Sequence, residues 1–360
     1  MKNKLRLSGI ALLLIMTVFT VIAAGCGSDN NKPAAGTPKE SVSPDATVSA
    51  DSSSAPSPSA DASAPAPLAP KLRIGYISAN NKGTITGAEG WAQQKGYLDS
   101  ELRKHGVTEI TIKSFPNGPN LNEALAGGAL DIGIYGDTPA INARSVGLKT
   151  KLINIAQSGM NAWLIAKADG PQTVEELKGK KIATADGSYM SRYLRGLLLE
   201  KGLEKDVKVV HLLPPDGEAA LARGDIAAYA YPTGFGPLLI SKGYKAIDQA
   251  KDHPSLRGSS VTVVTEEYLK DNSAIVEIWN GIRQQAVKEI QASPDEFYTL
   301  YAEASGFPVD IVKASFEISQ WPTELVPADG LQLLEGTKKY LFDNGIIKKD
   351  FQLDDWVYKP

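Results

Sequence analysis

Short apolar runs alternate with longer stretches of helical period along most of this chain. Runs of strand length occupy residues 72–77, 110–115 and 130–135, and each leads into a helical pattern, over 87–95, 119–126 and 138–146. The rhythm returns with strands expected at 181–185, 207–212 and 226–231 and helices at 189–201 and 217–223. Strands that alternate with helices of this length predict parallel sheet covered by helices. From about residue 273 the pattern turns helical, over 273–291, 294–304, 309–314 and 329–344. The expected fold class is α/β, with two mostly parallel sheets flanked by helices, two lobes and a cleft between them.

The first 70 residues depart from this pattern. Lys2, Lys4 and Arg6 precede an almost unbroken apolar run over 10–24, which ends in Ala23-Ala24-Gly25 directly before Cys26. A charged start, an apolar run and small residues form a secretory signal, expected over residues 1–25. A cysteine straight after the cleavage point resembles the bacterial lipoprotein signal, so Cys26 is the expected lipidation site. Residues 27–70 are Ser, Ala, Pro, Asp and Asn with almost no bulky apolar side chain. Such a segment cannot bury enough surface to offset its ordering entropy. It is read as a tether over 26–70 that, as a coil, would reach roughly 35–40 Å. The folded body is expected to begin at Lys71.

Composition narrows the chemistry. The chain has 360 residues and a formal net charge of −3, which argues against a nucleic-acid-binding face. Cys26 is the single cysteine, so neither an intramolecular disulfide nor a cysteine metal site is expected. His105, His211 and His253 stand in unrelated contexts without metal-ligand spacing, and neither a P-loop nor a G-x-S-x-G elbow occurs. No cofactor and no metal are expected.

Open α/β sheets bind ligands beyond the carboxyl ends of their strands, so the strand-to-helix turns are the places to search. They contain Asn81 in the first turn, Asn117 and Gly118 in the second, Gly136, Asp137 and Thr138 in the third, and Gly187, Ser188 and Tyr189 in the second block. Each turn runs into a helix N-terminus, where unpaired N–H groups and the helix dipole favour an anion. The same residue types are ordinary helix caps in any α/β protein. Asp137 in particular is expected to cap its helix, because its carboxylate would repel a bound anion.

The segments Phe115-Pro116-Asn117-Gly118-Pro119, Ala129-Leu130-Asp131-Ile132-Gly133 and Gly136-Asp137-Thr138-Pro139 resemble the aliphatic-sulfonate, taurine and nitrate solute-binding proteins of ABC transporters. Leu177-Lys178-Gly179-Lys180 and Leu221-Ala222-Arg223-Gly224-Asp225 extend the likeness over nearly all of the folded body. The resemblance implies a two-lobed periplasmic-binding-protein-like fold of type II. Lobe 1 would take residues 71–158 and 259–360, and lobe 2 residues 159–258. It implies a monomer outside the cytoplasm, touching the membrane through its lipid anchor only. It would hand a small anionic solute to a permease and its ATPase. Gly136, Asp137, Thr138, Gly187 and Ser188 would hold the acid group, with Asn161 at the lobe crossing and Tyr231 and Thr233 nearby. Relatives often place Trp and Asp near Thr233, so the ammonium partner of an amino-sulfonate such as taurine is missing here. An aliphatic sulfonate is the expected ligand. Nitrate or a thiamine-type pyrimidine is the alternative, and an enzyme of related fold is less expected.

Overall fold

The structure, a computed structural model, describes residues 67–78, 80 and 82–360. The expected signal, Cys26, most of the tether and Asn81 lie outside the described residues. The chain opens with β1 (Lys71–Ile77), α1 (Gly87–Gln94), α2 (Tyr97–Lys104), β2 (Glu109–Phe115), α3 (Gly118–Ala126), β3 (Ile132–Gly136) and α4 (Asp137–Ser145). Two strands then follow in succession, β4 (Thr150–Met160) and β5 (Trp163–Ala166). The second block adds β6 (Lys181–Thr184), α5 (Tyr189–Glu200), β7 (Lys208–His211), α6 (Pro214–Arg223), β8 (Ala228–Tyr231), α7 (Phe235–Ser241) and β9 (Lys245–Gln249). After β10 (Gly258–Thr265) the chain is helical: α8 (Glu266–Asp271), α9 (Ile275–Ala292), α10 (Pro294–Ser305), α11 (Val309–Ser315), α12 (Ala328–Asp343) and α13 (Leu353–Trp356).

The strands form two five-stranded sheets, ordered β2-β1-β3-β10-β4 and β7-β6-β8-β5-β9. Each contains a parallel trio, the product of the strand–helix rhythm, in which β1 pairs with β2 and β3, and β6 with β7 and β8. Each trio is extended by two strands that pair antiparallel, β10 and β4 in the first sheet and β5 and β9 in the second. The chain leaves the first sheet at Met160, enters the second at Trp163, leaves it at Gln249 and returns at Gly258. The two sheets and their helices make two lobes.

Alternation along the strands sends side chains to both faces of each sheet. In β1, Leu72, Ile74 and Tyr76 pack with Trp91, Leu98 and Trp279 from the helices on one face. The other face is covered by α3, α4, α12 and α13, through residues such as Leu121, Ile141, Leu334 and Trp356. The second lobe has the same plan, with Leu194 and Leu197 of α5 on one face and Leu221 of α6 and Leu239 of α7 on the other. Burying one such side chain contributes about 1.5–3 kcal/mol.

The packed body starts earlier than the expected boundary at Lys71. Leu68 is only 4% exposed, and its N–H donates to the His105 carbonyl at 2.8 Å. The Ala69 N–H donates to Asn272 Oδ1 at 2.6 Å. Among the described residues no helix is long and apolar enough to cross a membrane.

Candidate functional site

A cavity of about 580 Å³ lies between the lobes, walled by strand-to-helix turns of both sheets and by the C-terminal helices. Six helices start at its wall: α1 at Gly87, α3 at Gly118, α6 at Pro214 and α7 at Phe235, with α4 and α5 reaching it through their N-caps, Gly136 and Ser188. They are not equivalent. Pro214 and Pro215 remove two N–H groups from the start of α6, and α7 has only seven residues. The starts of α1, α3, α4 and α5, each on a helix of eight residues or more, keep more N–H groups. Pro119 and Pro139 nevertheless remove one each from α3 and α4, and the Asn120, Thr138 and Ser191 N–H groups already bond to Asn117, Asp137 and Ser188. Among the described residues, the cavity wall holds no lysine, arginine or histidine. A negative group in this cavity would therefore meet helix ends and neutral donors rather than a formal cation.

The expected site residues fall into two groups. Asn117, Gly118, Gly136, Ser188, Tyr189 and Thr233 line the cavity. Asn117 Oδ1 accepts from the Asn120 N–H at 2.9 Å and so caps α3. Gly118 is required by close packing, since a Cβ there would stand 2.3 Å from Pro139 Cγ. The Ser188 hydroxyl donates to the Ala185 carbonyl at 2.6 Å and accepts from the Ser191 N–H at 3.2 Å. The Tyr189 hydroxyl donates to the Asn161 carbonyl at 3.2 Å and accepts from the Thr233 N–H at 3.1 Å. Burial pushes the Tyr189 phenol up to about 12, so it stays a neutral group.

Asp137, Thr138, Gly187, Asn161 and Tyr231 do not line the cavity, for separate reasons. Asp137 is completely buried: Oδ1 accepts from the Thr138 N–H (2.5 Å) and hydroxyl (2.9 Å), and Oδ2 from the Ser259 N–H (3.0 Å) and the Thr337 hydroxyl (3.2 Å). Four donors satisfy the carboxylate inside the lobe, and the Thr138 hydroxyl is committed to it. Only the Thr138 N–H is a backbone donor of α4, whose N-cap is Gly136, so Asp137 ties α4 to β10 and α12 rather than capping the helix as expected. Gly187 has φ +73°, and a Cβ there would meet Pro119 Cγ at 3.3 Å, so it is a point of close approach between turns of the two lobes. Asn161 fastens the two lobe crossings together. Its Nδ2 donates to Gln249 Oε1 at 3.2 Å, and its Oδ1 accepts from the Lys251 N–H at 2.8 Å. Tyr231 is fully buried with its ring 4.1 Å from that of Tyr229.

Sequence reasoning missed much of the wall. Gln157 and Ser260 reach the cavity from β4 and β10, strands that were not foreseen, while Ser78 and Thr86 belong to the first turn. Tyr301, Phe307 and Trp321 come from the C-terminal helical block. Trp321 is 2% exposed and packs in the core, yet it also borders the cavity.

Glu89, in the first turn of α1, is the single carboxylate on the wall among the described residues. Burial holds it above the ordinary glutamate range, while Arg283, with Nε 3.8 Å from Oε1, draws it part of the way back. That separation is too long for a hydrogen bond. Arg283 is held independently by the Pro322, Ile155 and Ala156 carbonyls. Arg192, close to the cavity in sequence, is buried and turned away. It donates to the Ser255 (3.0 Å) and Arg257 (2.5 Å) carbonyls where the chain returns to the first lobe. His253 is partly exposed, with Glu200 (2.9 Å) and Asp248 (3.1 Å) flanking its ring. Among the described residues, no group of three or more His, Cys, Asp or Glu side chains could hold a metal ion.

Comparison with known proteins adds to this geometry. Residues 90–297 match the family described as NMT1/THI5 like. A protein of Escherichia coli (strain K12) named for aliphatic sulfonate binding is 27% identical over 296 residues, covering 80% of this chain and 89% of its own. The alkanesulfonate-binding protein SsuA of Xanthomonas axonopodis pv. citri, solved bound to MOPS, superposes with a TM-score of 0.68 at 22% identity, over 81% of this chain and 99% of that one. A desulfurization enzyme superposes with a TM-score of 0.61 at 17% identity, over 80% and 96%. A fold shared by carriers and an enzyme leaves function to the site.

Proposed function

The chain belongs to the NMT1/THI5-like family, and from that premise we propose that it is the solute-capturing component of an ABC importer, binding an organic sulfonate between its lobes. The observation that carries this reading is the set of four helix N-termini on the wall of one interlobe cavity that, among the described residues, has no cation. A sulfonate is a permanent anion at neutral pH and needs donors but offers no proton, which suits N–H groups at helix ends. The protein is read as a carrier and not an enzyme. Its cavity serines have no histidine, cysteine or lysine beside them on the wall to activate a nucleophile, among the described residues.

An anion held by turns of both lobes interacts better with the closed form than with an open one. Ligand then draws the lobes together by its differential affinity, the signal a permease and its ATPase would read. In this scheme residues 71–158 and 259–360 form one lobe and residues 159–258 the other. The protein acts as a monomer outside the cytoplasm, held to the membrane by lipid on Cys26 after removal of residues 1–25. Cys26→Ser should abolish lipid labelling and release the protein from membranes, and retention with unchanged labelling would sink the anchor.

The binding reading is tested by melting the protein with sulfonates, nitrate and neutral sugars. A ligand at a hundred times its dissociation constant adds about 2.7 kcal/mol to a folded state that alone binds it. At least one sulfonate should raise the melting temperature by several degrees, and sugars should not. Sugars acting while every organic anion fails would overturn the assignment.

A further inference from the structure

Resting on the sulfonate reading, we infer that the ligand is an aryl sulfonate, and that an aromatic cradle built largely by the C-terminal helical block selects it over short alkanesulfonates. The acid-holding parts of the cavity are strand-to-helix turns, and a second set of residues completes the wall. Tyr301 of α10, Phe307 just after it and Trp321 come from the C-terminal block, and Phe235 of α7 comes from the other lobe. The rings are linked. Phe235 meets Phe307 edge-on at 5.2 Å and 83°, across the join between the lobes. Tyr301 lies 6.3 Å from Trp321 at 64°. Tyr301, Phe307 and Phe235 are only partly buried, so ring surface remains on the cavity side, while Trp321 is backed by the core.

Size points the same way. A cavity of about 580 Å³ falls in the range that encloses ligands of many heavy atoms. An ethyl or propyl chain would leave most of it to water against apolar walls. A ring replaces that water, and aromatic pairs gain from edge-on and offset contacts beyond the area they bury. The wall carries no formal positive charge among the described residues, so the body of the ligand, more than its acid group, would distinguish one sulfonate from another.

The test measures dissociation constants of ethanesulfonate, benzenesulfonate and naphthalene-2-sulfonate by calorimetry on the folded protein. The two aryl sulfonates should bind roughly tenfold or more tightly than ethanesulfonate. Phe307→Leu should erase most of that advantage, weakening both aryl sulfonates at least several-fold more than ethanesulfonate, and Phe235→Leu should repeat the result from the opposite lobe. Equal affinity for alkyl and aryl sulfonates overturns the aryl assignment and leaves the carrier reading standing. A variant that weakens all three probes equally also overturns it, because those rings then serve the fold alone. Failure of every sulfonate to bind removes the carrier reading and this inference together.

Discussion

The Ser188 hydroxyl has both of its roles filled inside the protein, donating to Ala185 and accepting from Ser191. Ser188→Ala should therefore act as loss of a helix cap, lowering unfolding free energy by about 1 kcal/mol in urea melts. Its effect on ligand affinity should stay well under the about 1.5–3 kcal/mol expected for a hydroxyl that donates directly to an anion. A tenfold or greater loss of affinity would show that the hydroxyl turns to the ligand on binding. Glu89 carries a different consequence. Its folded-state pKa is raised, so the stability it contributes is complete below the ordinary glutamate value and is lost as pH rises through the raised one. Glu89→Gln keeps the shape without the titration. Its melting temperature should match wild type near the ordinary glutamate value, about pH 4, and exceed it by a growing margin as pH rises above that. A constant difference across that range would mean that Arg283 fully compensates the charge. At this scale, the turns that line the site were legible in the sequence, because strand-to-helix turns announce themselves by Gly, Pro and Asn. Which side chains face the cavity was not legible, because an N-cap residue and an anion ligand have the same chemistry.

Strands followed by helices were read closely: β1, β2 and β3 and the helices after β2, β3 and β6 fall within a few residues of their expected bounds. The strands that escaped, β4, β5, β9 and β10, are the antiparallel ones. β5 and most of β4 and β10 are buried on both faces, so no alternation marks them, and none of β4, β5 or β9 leads directly into an α-helix. Gly236 and Pro237 inside α7 hide its helical period. That helix is set by its first turn: Gly234 has φ +83°, its N–H donates to Ser315 Oγ at 2.9 Å, and a Cβ there would stand 2.4 Å from Phe307. Gly234→Ala should cost about 2–4 kcal/mol through backbone strain and overpacking. It should also separate α7 from α11. A chemical-denaturation midpoint unchanged by this substitution would show that the contact between α7 and Phe307 is not held in solution.

For the whole molecule, the burial of Leu68 changes where the body can be cut. A chain beginning at Lys71 loses that side chain and should melt lower than one beginning at Pro67, by about 1.5–3 kcal/mol in unfolding free energy. Equal stabilities would mean that the segment before β1 adds nothing to the packed body. The position of β10 reaches further, into the order in which the protein can assemble. This strand lies between β3 and β4, yet it follows both by about a hundred residues of chain that build the second lobe. During synthesis the trio β2-β1-β3 can pair early, while β4 has no neighbour to bond with until residue 265 has emerged. The first lobe to begin is thus the last to close, and its joining step spans a long loop, the kind of contact that slows folding. Until then, two unpaired strand edges stay open to other chains, and a molecule halted at that stage would be prone to aggregate.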